Sequence, residues 1–145
     1  MLRRTRLRPF GKRGKQWAEA KQAAEATLER RSNGRCEYCH KRFDRLDTHH
    51  AAGRPGSGLC LGPVADTADL LTRLCHDDPM TGNQGCHTLA HFDSLVRDSV
   101  RFAAAERLAR TLDDDAAWSV YSDISLPIDD TLRELARMWD ERQKA

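Results

Sequence analysis

The chain has no apolar run approaching the roughly 18 residues that a membrane-spanning helix requires. Its first residues also lack the succession of charged, apolar and small side chains that marks a secretory signal. Membrane association and export therefore find no support, and a cytoplasmic protein is expected. Internal repeats are absent as well. Hydrophobic residues are sparse, 39% of 145, so a length of about one domain comes with a modest core. Such chains are commonly stapled by a metal or by disulfides. Five cysteines are present, and without export features their paired spacing favours metal.

Acidic residues are scarce at the front. Residues 1–45 carry 14 Lys and Arg against 5 Asp and Glu, and residues 46–145 carry 10 against 17, so a net charge of +2 conceals a basic front and an acidic remainder. Residues 1–15, opening Met-Leu-Arg-Arg-Thr-Arg-Leu-Arg-Pro, are too polar to pack and read as a flexible basic arm that orders on a polyanion. Nucleic acid is the natural partner, although a solubilising tail shares this composition.

After the arm, Trp17, Ala20, Ala24 and Leu28 recur at i, i+3, i+7 and i+11 among polar residues, which predicts one amphipathic helix. Ser32-Asn33-Gly34 ends it. Residues 46–50 read as a short strand, 51–66 as a loop rich in glycine and proline, and 70–74 as the second strand of a hairpin. A polar loop, 76–85, leads into a helix from Cys86 through His87, His91, Leu95 and Val96, with helix continuing to about Leu112. Asp113-Asp114-Asp115 interrupts, and a last helix carries Ile128, Leu132, Leu135 and Trp139, with Asp129 and Asp130 in its first turn. Residues 113–145 form a separate helical extension on this reading.

The cysteines suggest a four-thiolate clamp. Cys36 and Cys39 in a Cys-x-x-Cys turn aim two sulfurs at one tetrahedral cation, and Cys75 with Cys86 completes the set as a structural zinc site. Ten residues separate the second pair. Loop closure grows slowly with length, so widening two residues to ten costs only about 1.4 kcal/mol, against roughly 10–16 kcal/mol from a structural zinc. Cys60 is the odd cysteine, a free thiol or a substitute for Cys86. His40 and His76 are read as bystanders.

A second cluster is histidine-based. His87 and His91 at i and i+4 share a helix face and can hold one cation. Either His49 or His50 can supply a third ligand, because neighbours on a strand point to opposite faces.

This order, Cys-x-x-Cys, His-His, Cys, then Cys-His-x-x-x-His, resembles the HNH nucleases, and small phage-type members in particular. The resemblance covers roughly residues 34–95. It implies an α+β fold, a ββα-metal (His-Me finger) core with a structural zinc site flanked by N- and C-terminal helices. The N-terminal helix and nuclease domain would then occupy 16–112. In the family's His-His variant the first histidine binds the metal and the second is the general base. That implies His49, His87 and His91 as metal ligands and His50 as catalytic base. Family members usually carry Asn five residues before the third cysteine; here Leu70 stands there, and Asp69, one residue earlier, is the candidate to orient His50.

The expected function is a metal-dependent endonuclease that hydrolyses phosphodiester bonds of double-stranded DNA. A neutral imidazole can take a proton from water at pH 7, and a catalytic Mg2+, Mn2+, Ni2+ or Zn2+ can neutralise the scissile phosphate. The resemblance implies products with 5′-phosphate and 3′-hydroxyl ends. The rival is a zinc-stabilised nucleic-acid-binding accessory protein without catalysis. The acidic C-terminal helices could dock a phage packaging or recombination protein, in which case the compartment is the host cytoplasm.

Overall fold

A computed structural model describes residues 11–145, so residues 1–10 of the expected basic arm lie outside the described residues. The fold is α+β and mostly helical, with one two-stranded antiparallel sheet. No helix among the described residues is long and apolar enough to cross a membrane.

Helix α1 (Lys12–Ser32) starts earlier than expected and takes in Lys12, Arg13 and Lys15 of the presumed arm. Lys, Arg and Gln are good helix formers, and the helix runs back to Gly11, whose extended backbone ends it. At the other end Asn33 adopts a left-handed conformation, φ 48°, and donates its N–H to the Glu29 carbonyl. Of the expected apolar stripe only Leu28 is buried, and Trp17 stays 57% exposed. The C-terminal turn does the docking. Arg31 donates to the carbonyls of Ala68 (2.7 Å) and Leu71 (2.6 Å) and pairs with the Glu37 carboxylate.

Strands β1 (Asp47–His50) and β2 (Leu71–Leu74) pair antiparallel with Asp47 opposite Leu74 and His50 opposite Leu71. Between them the chain folds a compact loop containing a 3-10 turn, Gly62–Asp66. Gly53 and Gly58, both at positive φ, pack backbone to backbone there, and a Cβ on Gly58 would lie 2.6 Å from the Ala52 carbonyl oxygen.

The expected single helix from Cys86 onward is two. Helix α2 (Cys86–Phe92) stops at Asp93, whose carboxylate accepts the N–H groups of Leu95 and Val96 and so caps a new helix, α3 (Ser94–Leu112). A further helix that the hydrophobic pattern did not suggest, α4 (Asp115–Ser122), is capped the same way by Asp114. Helix α5 (Ile128–Lys144) closes the chain.

One continuous core joins these parts. It runs from Cys36, Leu70 and Leu74 through Val100, Leu108 and Leu112 to Leu132 and Leu135. Residues 113–145 therefore share their core with the preceding segment. Arg101 ties the same parts together by donating to the Ala51 carbonyl (3.1 Å) and to the Asp129 carboxylate (2.5 Å).

Candidate metal centres

The sulfurs of Cys36, Cys39, Cys75 and Cys86 lie within 4.8 Å of one another. Tetrahedral zinc with bonds of about 2.3 Å sets sulfurs about 3.8 Å apart, so the four thiols fit a structural ion after slight contraction. Cys60 is exposed and outside the cluster, and Cys86 is the fourth member.

Local sequence explains the closure. Residues 34–43 turn back on themselves, with Cys36 N–H donating to the Lys41 carbonyl (3.0 Å) and His40 N–H to the Cys36 carbonyl (2.9 Å). Glu37, inside the Cys-x-x-Cys turn, fastens that turn to the sheet by accepting the Arg73 N–H at 2.6 Å. Across the second pair, Cys86 N–H points at Cys75 Sγ (3.3 Å) and His87 N–H at the Cys75 carbonyl (2.9 Å). Gly85 makes this approach available, since a Cβ there would stand 2.2 Å from the His76 carbonyl carbon. Asp77 braces the same corner by accepting from Gly85 N–H (2.8 Å) and the Thr88 hydroxyl (2.7 Å).

Burial pushes the Cys75 and Cys86 thiols up in pKa. Burial opposes ionisation of Cys36 too, but main-chain hydrogen bonds from Cys39, Cys75 and Tyr38 outweigh it and hold that thiol below its ordinary value. Crowded thiols that resist ionising together bind a cation with release of protons.

The second cluster is a triangle of His49, His87 and His91, with ring centroids 5.3, 5.0 and 5.2 Å apart. Their nitrogens also fall within 4.8 Å of one another. His49 comes from β1 and the other two from successive turns of α2. His49 is buried and His91 exposed, so the triangle has a closed floor and an open side. Burial, reinforced by the neighbouring His87, His91, His50 and Arg101, pushes the His49 pKa down to about 3. Its imidazole is therefore neutral at pH 7, the form that binds a metal.

That depression has a consequence for stability. The unfolded chain protonates His49 near pH 6.5 while the metal-free fold refuses the proton until about pH 3. The unfolded state thus holds more protons between those values, and stability falls as pH drops through this window. Between pH 7 and 5 the wild type should lose about 2 kcal/mol more than His49→Gln, as measured by urea unfolding of protein that keeps zinc in the cysteine clamp and carries no metal at the histidines.

No family model, curated protein or solved structure matches the chain. Assignment of the sites rests on their geometry.

Two carboxylates that sequence reasoning passed over lie against these histidines. Asp47 Oδ2 stands 3.1 Å from His87 Nδ1 and 3.7 Å from His76 Nδ1. Accepting from Nδ1–H fixes the tautomer that leaves His87 Nε2 free for a metal. Its signal was available, because Asp47 precedes His49 by two residues and so shares its strand face. Asp47→Asn should weaken Ni2+ or Co2+ binding at the histidine triangle about 10- to 100-fold, leaving the clamp's zinc in place, by titration calorimetry on zinc-loaded protein.

The other is Asp66, whose Oδ1 lies 2.9 Å from His50 Nε2. Asp69, the carboxylate expected beside His50, is placed elsewhere and offers its main-chain carbonyl to Arg107 Nε at 2.9 Å. Leu70, at the position where Asn was looked for, is buried in the core. His50 and Asp66 line a cleft of about 490 Å³ between the sheet, α1 and the loop at Arg54 and Pro55.

Proposed function

We propose that the chain is a metal-dependent endonuclease of the HNH type, in which β1, β2 and α2 form a ββα-metal core and the four cysteines hold structural zinc. The observation that carries this reading is the pairing of His49 and His50. One joins a three-histidine triangle on one side of the strand, and its neighbour meets a carboxylate at the edge of a cleft. Such an arrangement places a candidate cation site and a candidate base on neighbouring residues of one strand.

His50 Nε2–H donates to Asp66, so Nδ1 is the nitrogen left to accept a proton from the attacking water. Asp66 also stabilises the imidazolium that forms. His49, His87 and His91 would hold a divalent ion, which when bound would supply charge neutralisation for phosphodiester hydrolysis. The substrate is DNA, attracted in addition by the basic residues at the front of the chain, whose contribution should fade as salt rises.

Hydrolysis in this sense leaves a 5′-phosphate and a 3′-hydroxyl. Nicks made in supercoiled plasmid by zinc-loaded protein with added Mg2+, Mn2+ or Ni2+ should be sealed by a DNA ligase without end repair. Nicks that resist ligation would remove the proposed chemistry. Absence of nicking by folded, DNA-bound protein would leave a zinc-stabilised binding module.

A further inference from the structure

The cleft beside His50 has a second wall whose composition the fold does not use. It is built by α1, from Trp17 through Ala20 and Lys21 to Glu25, and faces Thr48, His50 and Leu71 of the sheet and Arg54 and Pro55 of the loop. Helix α1 docks through Leu28 and Arg31, two to three turns away, so its N-terminal half is held off the sheet and a space remains open. Trp17 stands at this space with over half its surface in water. An indole left so exposed contributes little to packing. Lys21, one turn on, holds its ammonium 5.4 Å from the Trp17 ring centroid.

We propose that this wall is a stacking site for one unpaired nucleotide of the DNA strand to be cut, with Trp17 as the platform and Lys21 and Arg54 as the phosphate contacts. The inference rests on the nuclease reading and names its substrate class. A paired base in a duplex has both faces covered by its neighbours and offers Trp17 nothing. A base outside the stack exposes an aromatic face, and the cleft lies within the range of volumes that take a small ligand. The charges suit a phosphodiester. Lys21 and Arg54 share the cleft lining with Glu25 and Asp66, and Asp66 is already engaged by His50. A strand seated on Trp17 therefore brings an adjacent phosphate toward His50.

The test is binding of a fluorescently labelled phosphorothioate oligonucleotide, single-stranded or as a perfect duplex, to the zinc-loaded full chain. Trp17→Ala should weaken single-strand binding roughly 5- to 100-fold and change duplex binding less than twofold, and Trp17→Phe should restore most of the loss. A 2-aminopurine placed in the single strand should be quenched on binding by the wild type and not by Trp17→Ala. Equal losses on single strand and duplex, or no loss on either, would overturn the proposal, as would failure of the wild type to bind single strands. Because binding and quenching need no cleavage, a chain that cuts no DNA yet quenches through Trp17 removes the nuclease reading alone. Normal cutting with an indifferent Trp17→Ala removes this inference alone.

Discussion

Removing the clamp's metal, with a chelator or by Cys75→Ser, will unfold the protein rather than merely inactivate it. The buried thiols of Cys36, Cys75 and Cys86 belong to the same core as Leu70 and Leu74. A small domain is stable by only about 5–15 kcal/mol, and a structural zinc in such a site supplies a comparable amount, roughly 10–16 kcal/mol. Loss of the ion also leaves partly exposed or buried thiols without ligand partners. The effect reaches the histidines by the shortest covalent path, because Cys86 and His87 are adjacent and open α2 together. Melting followed by near-ultraviolet circular dichroism should lose its cooperative transition on chelation, with Ni2+ binding by the triangle lost in parallel. Gly85→Ala should move the same way to a smaller extent, since its Cβ separates Cys75 from Cys86. An unchanged melt after chelation would mean that the cysteines are ordinary buried thiols.

His50→Ala should lower DNA cleavage about 10²- to 10⁴-fold while zinc content, Ni2+ affinity and DNA affinity stay within twofold. The side chain bonds Asp66 at the cleft and is not a member of the histidine triangle, so its removal leaves both metal clusters intact. Asp66→Asn should cost about 10- to 100-fold, as partners that orient a catalytic histidine or metal ligand commonly do. An amide can donate where the carboxylate only accepts, and so favours the wrong imidazole tautomer. Asp69→Asn should leave the rate unchanged, because Asp66, not Asp69, is the carboxylate bonded to His50. Steady-state nicking rates of the three variants separate these roles.

The legible parts of the sequence were those where chemistry and spacing coincide. The Cys-x-x-Cys turn, the i, i+4 histidines on α2 and the antiparallel strands carrying His49, His50 and Leu71–Leu74 were all readable from residue order. The clamp's second pair was readable only through residue type, because a ten-residue gap holds no local geometry of its own; Gly85 and Asp77 supply it through contacts that span the gap. Asp66 escaped for a similar reason. It ends a loop whose path depends on the close packing of Gly53 against Gly58, and no periodicity reports such a return. The break at Asp93 was missed because the apolar pattern continues through Val96, whereas a single carboxylate capping two main-chain N–H groups ends one helix and begins another. Trp17 shows the opposite failure. Its helical spacing suggested core, but Arg31 and Leu28 set the docking point and leave the indole at a cleft.

The most direct test of separate folding and cutting sites compares supercoiled-plasmid nicking by wild type and His50→Ala, both zinc-loaded in the clamp and equally occupied with Mn2+ or Ni2+. The expected result is metal-dependent nicking by the wild type and its near-complete loss in a variant that still folds and binds metal and DNA. Nicking that persists in His50→Ala, or a folded and metal-loaded wild type that binds DNA without cutting it, would contradict it.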